Sequence, residues 1–379
     1  MNFHLRKSNL NDMAAIFQIY VSAYDGTYPD PTFTQVDKLE AAIKSTHKLI
    51  FVAEDNNQQI LGCILFLYQE DSQLAKAGAA VVIPEYRGHN ITQMLIRYGI
   101  EYIQKHTDGL DVLYSTTRTV HKAAQILTLK MGYKQLGIFP NVHKTKEYET
   151  HALVAMHFNN SLERRYIDFE QHPCVAKLFD IVQKVEGIPA MAIAKDWDEK
   201  VYAGEVPVLE VIEAKEFINY NYTKLQESDS VDLAFFPFHT PNILITSADQ
   251  ELQVYAYVNE FDKHCVITGC KIDRKVSFTS LFQSVTQILR DRGIRYIEII
   301  IRANRLNIID KIYKAKFLPC AYVPAFQNEN GTRYDYVVFS RSFEILDFNH
   351  LELTDENEKY LQNYIEEWEK SFLGGYFKK

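Results

Sequence analysis

The sequence lacks three features that would assign it to several large classes of protein. It has no apolar run of the ~20 residues that a membrane span needs, and residues 1–7 do not lead into an apolar stretch. Its five cysteines are scattered, odd in number and without C-x-x-C spacing, so they indicate neither a disulfide framework nor a zinc site. Its net charge of −8 gives no general attraction to nucleic acid or to anionic membranes. We therefore expect a cytoplasmic protein without metal, nucleic acid or membrane among its partners.

What the sequence does contain is enough apolar material for two full cores. Of its 379 residues, 47% are hydrophobic and 24% are charged, a composition typical of globular proteins. A chain of this length exceeds the size at which single cores stop growing, so two domains are expected.

The periodicity of the first half predicts a mixed α+β fold. A strand, two helices and three neighbouring strands indicate an antiparallel meander, which a strand–helix–strand–helix–strand crossover follows. The predicted strands of this half include 49–53, 60–68, 79–83 and 110–115, and the helices include those starting near Met13 and after Pro84.

The second half repeats part of this order. The interval from Gly109 to the aromatic Tyr133 equals the interval from Gly293 to Phe317, with a strand and a helix inside each. In this register the matched pairs are Arg118 with Arg302, Lys130 with Lys314, and Val82 with Val266. A duplication or a coincidence of α/β lengths explains the match. The expected division is 1–158 for the first domain, 159–205 for a connector with one helix, 206–346 for the second domain and 347–379 for a C-terminal helix.

The segment 81–92, VVIPEYRGHNIT, predicts a strand that turns directly into a helix. The first turn of such a helix has unpaired backbone amides, and the helix dipole favours negative charge there. Gly88 lets the backbone approach a phosphate closely. An ordinary strand-to-helix turn is the alternative explanation for this segment alone.

This segment resembles the cofactor-binding motif of the GNAT acetyltransferases, Q/R-x-x-G-x-G/A. Arg87 stands at the first position, while Asn90 and Thr92 stand at the two glycine-type positions. The later segment 121–133, HKAAQILTLKMGY, resembles the family's N-x-A-A…Y-x-K-x-G-F segment. The resemblance implies tandem GNAT-like domains, each a mixed and mostly antiparallel sheet flanked by helices. It also implies acetyl-CoA as acyl donor, bound by Val82, Arg87, Gly88, His89, Asn90, Ile91 and Thr92.

The implied reaction is direct transfer of an acetyl group to an amine of a small molecule or a protein. A primary amine with a pKa of ~10 must lose a proton first, so a base is needed. Glu85, His89 and His121 are candidate bases, and Tyr114 and Tyr133 are candidate proton donors to the thiolate. Backbone amides near Val82 would polarise the thioester carbonyl. For Glu85 and His121 a solvated or capping role is the alternative.

The expected acceptor wall is the loop after the first helix, with Tyr24, Asp25 and Tyr28 as substrate-binding candidates. An aromatic and acidic set suits a cationic amine, and packing is the alternative role for such aromatics. In the second half, residues 271–275 have no glycine and carry Asp273, so that domain is expected to be degenerate. Two further functions stay open: a non-catalytic binding or assembly protein, and a tandem aminoacyl or long-chain acyl transferase.

Overall fold

The computed structural model describes residues 3–26, 28–144, 147–197, 204–227, 233–234 and 237–374. Its helices are α1 (Met13–Tyr24), α2 (Val36–Lys44), α3 (Ile91–His106), α4 (Lys122–Lys130), α5 (Pro173–Glu186), α6 (Lys215–Glu227), α7 (Phe278–Asp291), α8 (Leu306–Lys314) and α9 (Asp355–Leu373). Its strands are β1 (His4–Lys7), β2 (Lys48–Glu54), β3 (Ile60–Gln69), β4 (Leu74–Val82), β5 (Val112–Arg118), β6 (Lys134–Lys144), β7 (Tyr148–His157), β8 (Leu209–Ile212), β9 (Leu233–Ala234), β10 (Ile243–Ser247), β11 (Leu252–Asn259), β12 (His264–Ile272), β13 (Tyr296–Arg302), β14 (Leu318–Glu329) and β15 (Thr332–Ser342).

The strands of the described residues form one sheet with the same order read from either edge. From one edge the order is β1-β2-β3-β4-β5-β7-β6, and from the other it is β8-β10-β11-β12-β13-β15-β14. Each series has one parallel pair, β4 with β5 and β12 with β13, and the remaining pairs are antiparallel. The predicted fold class, a mixed and mostly antiparallel sheet flanked by helices, is therefore confirmed, and the strands of the two halves join into one continuous sheet.

Matched positions in the two halves occupy matched places in the fold. Arg118 and Arg302 are the last residues of the seven-residue strands β5 and β13. Gly132 and Lys316 both have positive φ, 98° and 71°, just before β6 and β14. The sequence order after Gly109 and after Gly293 thus corresponds to the same strand–helix–strand unit.

The predicted match of Val82 with Val266 is wrong. Leu74 lies opposite Val112 in the β4–β5 pair, and His264 lies opposite Tyr296 in the β12–β13 pair, so Val82 corresponds to Ile272. Eight residues separate β4 from α3, whereas five separate β12 from α7, and α3 has 16 residues against 14 in α7. The alignment of the two halves is set on residues that follow these helices. It does not hold for the strands before the helices, because the lengths in between differ.

The two halves meet where β6 lies beside β14. Gly137 is paired with Ala321, and a Cβ atom at residue 137 would lie 2.3 Å from that of Ala321, so only glycine fits. Helices α5 and α9 contact each other and cover both strands. In the first half, α1 and α2 cover one face of the sheet and α3 covers the other. This arrangement leaves the strand ends of β4 and β5 free to form a site.

Candidate functional site

Strand β4 carries an irregularity where the site begins. Cys63 of β3 lies opposite Val81, but Leu65 lies opposite Gly78, so β4 has one extra residue in this stretch. Ala79, which lies between Gly78 and Val81 in this bulge, has a φ of 52°. The Tyr20 hydroxyl of α1 donates a hydrogen bond to the Ala79 carbonyl. Such a bulge bends the strand and turns its far end away from the neighbouring strand.

As a result, β4 and β5 are joined at one end only. Their described pairing is confined to 74–76 with 112–114, and no ladder pair joins the later parts of the two strands. The Ile83 amide donates to Leu61 of β3, so the adjacent residue Val82 directs its own N–H and C=O to the opposite side. The Arg87 Nε donates to the Val82 carbonyl at 3.3 Å. The β4–β5 opening is therefore lined by free strand edges.

The opening leads to a turn and to the start of α3. Gly88 and Asn90 have φ values of 84° and 62°, and Asn90 does not cap the helix with its side chain. Among the described residues, no acceptor is bonded to the backbone N–H groups from Gly88 to Gln93. Arg87 is exposed beside them. Six consecutive amides and a guanidinium at a helix start form a seat for a phosphate anion.

The remaining cofactor candidates support this turn. Ile91 is 2% exposed and anchors the first residue of α3 in the core. His89 is exposed, and its Nδ1 lies 3.2 Å from the Tyr86 carbonyl, to which it donates. Thr92 is half-buried. The side chains of Ile91 and His89 thus fix the turn, and its backbone amides face the opening.

The loop after α1 lies beside the same opening. Tyr24 and Tyr28 are half-buried with ring centroids 4.7 Å apart, while Asp25 is exposed and ends α1 with a φ of 50°. Burial raises the pKa of Tyr24, and the charges of Arg118 and Arg87 oppose that rise. The structure therefore brings the predicted substrate wall, Tyr24, Asp25 and Tyr28, close to the turn at the start of α3.

The sequence interpretation missed a charged cluster at the end of β5. Arg118 donates from its Nε and Nη2 to the two carboxylate oxygens of Glu149 at 2.7 and 2.6 Å. The Glu149 side chain is 8% exposed, and His151 lies 3.6 Å from it. Burial lowers the pKa of His151 to about 4. Alternation in β7 places both residues on one face, but only strand pairing shows that Arg118 joins them.

The other catalytic candidates lie apart from this cluster. Glu85 is exposed in the turn before Arg87. His121 is 80% exposed at the start of α4, with its Nδ1 3.8 Å from the Glu352 carboxylate. Tyr133 is 2% exposed in an apolar core with Leu113, where burial raises the pKa of its hydroxyl. Within the described part of the chain, none of these three forms a hydrogen bond or an ion pair with another candidate residue.

The corresponding place in the second half is closed by the chain itself. Ser277 accepts a hydrogen bond from the Ser280 amide, so its side chain caps the start of α7. Strand β9 pairs with β12 at 269–270, on the edge that stays free in β4. A Cβ atom on Gly204 would lie 2.2 Å from the Lys275 carbonyl, so the connector sits against the turn. These contacts occupy the seat that the first half leaves open.

The first half thus combines a bulged, half-opened parallel pair with a helix start whose amides are free among the described residues. Residues 13–133 match the model of the acetyltransferase (GNAT) family. The predicted resemblance to this family is thus confirmed for this part of the chain. No curated protein matches the chain.

Several solved structures are similar to part of the chain. An N-acetyltransferase from Staphylococcus aureus Mu50 is 23% identical, with 41% of this chain and 99% of that chain covered and a TM-score of 0.36. A spermidine N-acetyltransferase from Vibrio cholerae in complex with CoA and spermine is 17% identical, with 41% and 95% covered and a TM-score of 0.37. The ribosomal-protein-S18-alanine N-acetyltransferase from Escherichia coli is 17% identical, with 42% and 98% covered and a TM-score of 0.35.

The described residues lack two kinds of feature. None of their helices combines the length and the apolar character that crossing a membrane requires. The same residues include no group of three or more histidine, cysteine, aspartate or glutamate side chains arranged to hold a metal ion.

Proposed function

We propose that the chain transfers an acetyl group from acetyl-CoA to an amine of a small molecule or a protein, by direct attack on the thioester. The observation that carries the proposal is the run of six unbonded amides from Gly88 to Gln93 at the end of the β4–β5 opening. The diphosphate of the coenzyme fits such a seat, because each oxygen can accept from an amide that has no other partner among the described residues.

The chain's own residues then have separate tasks. Arg87 and the turn from Gly88 to Thr92 hold the diphosphate. The Val82 amide faces the opening and is suited to donate to the thioester carbonyl as negative charge develops on its oxygen. When bound, acetyl-CoA supplies the reactive thioester.

The acceptor side combines aromatic rings with buried acid, which suits a cationic amine. Tyr24, Tyr28 and exposed Asp25 form one wall, and Glu149 lies beside Arg118 at the end of β5. The roles predicted for Glu85, His121 and Tyr133 are not part of this proposal, because none of the three has a hydrogen bond or an ion pair with the Arg118 cluster among the described residues.

We further propose that 1–158 is the catalytic domain and 206–346 a second domain that does not bind coenzyme in the same way. Helix α5 of the connector 159–205 and helix α9 of the segment 347–379 cover the junction between them. Four of the five cysteines, Cys63, Cys174, Cys265 and Cys320, are unpaired and buried, which supports a reducing, cytoplasmic setting.

The proposal is tested by calorimetric titration of acetyl-CoA into the wild-type chain and two charge-reversed variants. Arg87→Glu puts negative charge at the phosphate seat, so we expect acetyl-CoA binding to be lost with little change in Tm. Arg97→Glu is the matched control, since Arg97 is exposed on α3 away from the helix start. Equal affinities for all three chains would overturn the proposal.

Unfolding measured with and without each ligand separates the alternative functions. Acetyl-CoA at 100 times its Kd should add about 2.7 kcal/mol to the free energy of unfolding. No stabilisation by any acyl-CoA would favour a binding or assembly protein. Stabilisation by long-chain acyl-CoA or aminoacyl-tRNA, but not by acetyl-CoA, would favour the other transferases.

A further inference from the structure

A histidine and a carboxylate from different halves of the chain form a pair near the acceptor side. His143 lies near the end of β6, and its Nδ1 is 2.7 Å from Oδ2 of Asp262, in the turn between β11 and β12. The Asp262 side chain is 1% exposed and that of His143 is 35% exposed. Because a carboxylate only accepts, the Nδ1 of His143 donates, and in the neutral ring Nε2 keeps its lone pair. Nε2 bonds to no described residue.

Asp262 is held in its charged form. Burial by itself raises the pKa of Asp262, but the hydrogen bond from His143 and the charge of His264 leave it below its usual range. A fixed negative charge behind the ring stabilises the imidazolium that forms when Nε2 takes a proton. The pair therefore has the parts of an oriented general base.

The pair lies next to the cluster at the end of β5. The rings of His143 and His151 have centroids 5.1 Å apart, and His151 adjoins the Glu149 that Arg118 holds. From the second half, the His264 ring lies 5.5 Å away, with Glu298 of β13 behind it. His143 is the member of this group that has both a buried carboxylate partner and an exposed edge.

The neighbouring groups are less suited to be the base. Both carboxylate oxygens of Glu149 accept from Arg118. Burial lowers the pKa of His151 to about 4, which makes it a weak base. The His264 side chain is 8% exposed and lies 3.8 Å from Glu298, in the interior.

We propose that His143 is the general base of the acyl transfer and that Asp262 is its positioning residue, so one active site uses both halves. This inference rests on the proposed function. Nε2 of His143 takes one proton from the acceptor ammonium, and the freed lone pair forms the C–N bond to the thioester carbon. The C–S bond breaks with its electron pair on sulfur, the thiolate gains the second proton of the nitrogen through water, and His143 returns its proton to solvent.

The tautomer of His143 tests the pair without any substrate. In a chain labelled with 15N-histidine, we expect the neutral ring of His143 to carry its proton on Nδ1, with the signal assigned by its loss in His143→Gln. In Asp262→Asn the share of the ring with its proton on Nδ1 should fall, because a neutral amide oxygen accepts more weakly than a carboxylate. A proton on Nε2 in the wild-type chain, or an unchanged tautomer in Asp262→Asn, would overturn the inference.

Rates test the catalytic role. With the fastest acceptor among n-butylamine, 1,4-diaminobutane and a peptide with a free N-terminus, kcat of His143→Gln should fall about 10²- to 10⁴-fold. The KM for acetyl-CoA should stay unchanged in His143→Gln, and Asp262→Asn should lower kcat while leaving the same KM unchanged. His106→Gln, at an exposed histidine of α3, is the control and should keep full activity. Unchanged kcat in His143→Gln would exclude the base role, whereas failure of the wild-type chain to bind acetyl-CoA would overturn the proposed function instead.

Discussion

His151 combines deep burial with a charged neighbour that is already occupied. Its two ring nitrogens bond to no described residue, and Glu149 beside it is held by Arg118. Burial therefore dominates, and it lowers the pKa of His151 to about 4 against 6.5 for an ordinary histidine. At mildly acidic pH the unfolded chain therefore binds a proton at His151, whereas the folded chain does not.

This difference makes the free energy of unfolding depend on pH. Between about pH 6.5 and pH 4 the unfolded chain binds a proton at residue 151 that the folded chain refuses, so acidification in this window destabilises the fold by up to about 3 kcal/mol. His151→Gln should remove that share of the slope. Urea unfolding at a series of pH values measures it, and His106→Gln is the control.

Some acid dependence should remain in His151→Gln, because burial also lowers the pKa of His172 to about 4. An unchanged slope between pH 6.5 and 4 in the variant would show that His151 is not the buried neutral group described here.

At this scale the sequence indicates the strand-to-helix turn around Gly88 and the loop with Tyr24 and Tyr28, but not the charged cluster around Arg118. Arg87 and Gly88 are local features of a strand, a turn and a helix, so their positions follow from periodicity. Glu149, His151 and His143 become neighbours of Arg118 only through the pairing of β5, β6 and β7. Alternation in a single strand does not reveal which strand lies beside it.

At the scale of elements, each half contains the same contact between a helix and a bulge. In the first half the Tyr20 hydroxyl of α1 donates to Ala79, and in the second the Tyr222 hydroxyl of α6 donates to Thr268 at 2.6 Å. Strand β12 has its own irregularity there, since Tyr255 lies opposite Gly269 and Ala256 opposite Ile267. The two contacts form a matched pair in which only one bulge borders an open cleft.

The two hydroxyls should therefore contribute alike to stability but differ in their effect on acetyl-CoA binding. Tyr20→Phe and Tyr222→Phe should each cost about 1 kcal/mol of stability, because a buried carbonyl loses its donor. Only Tyr20→Phe should weaken acetyl-CoA binding, since its bulge shapes the β4–β5 opening. Urea unfolding and calorimetric titration measure the two effects, and equal acetyl-CoA affinities in both variants would contradict this role of the bulge.

The elements themselves were predicted unevenly. The helix of the connector and the closing helix have the expected places, but β4 begins at Leu74 rather than at Ala79. Alternation is broken at the bulge, so the pattern on its far side is not read as the same strand. Helix α6 was not predicted, although it supplies Tyr222 to the bulge of β12. Most residues from Lys215 to Glu227 are polar, so the narrow apolar face of this helix gives only a weak periodic signal.

At the scale of the whole molecule, a buried arginine joins the halves. Arg333 of β15 is 0% exposed, and it donates to the Ser72 carbonyl at 3.2 Å and to Asp111 at 2.8 Å, both in the first half. It also donates to the carbonyls of Ala325 and Phe326. These bonds fix the second half against the turn between β3 and β4.

Arg333→Met removes the charge and leaves its acceptors buried. We expect a loss of about 3–5 kcal/mol in the free energy of unfolding, the range for one partner lost from a buried pair. Arg97→Met, at an exposed arginine of α3, should change stability little. Chemical denaturation followed by tryptophan fluorescence measures both, and similar midpoints would show that Arg333 does not join the halves energetically.

The whole-molecule arrangement is the part that the sequence predicts least. Equal intervals after Gly109 and Gly293 indicated a repeat, but they contain no information on the contact of Gly137 with Ala321. The pairing of β9 with β12 is equally hidden, because two residues of strand give no periodic signal. Long-range contacts between different elements decide which half has an open cleft.

The most direct test of the account is the position of CoA in a crystal structure of the complex. We predict density for the diphosphate within hydrogen-bonding distance of the amides from Gly88 to Thr92, with the pantetheine arm between β4 and β5. No diphosphate should lie at the Ser277-capped start of α7. Density for the coenzyme at that second helix, or away from both helix starts, would contradict the account.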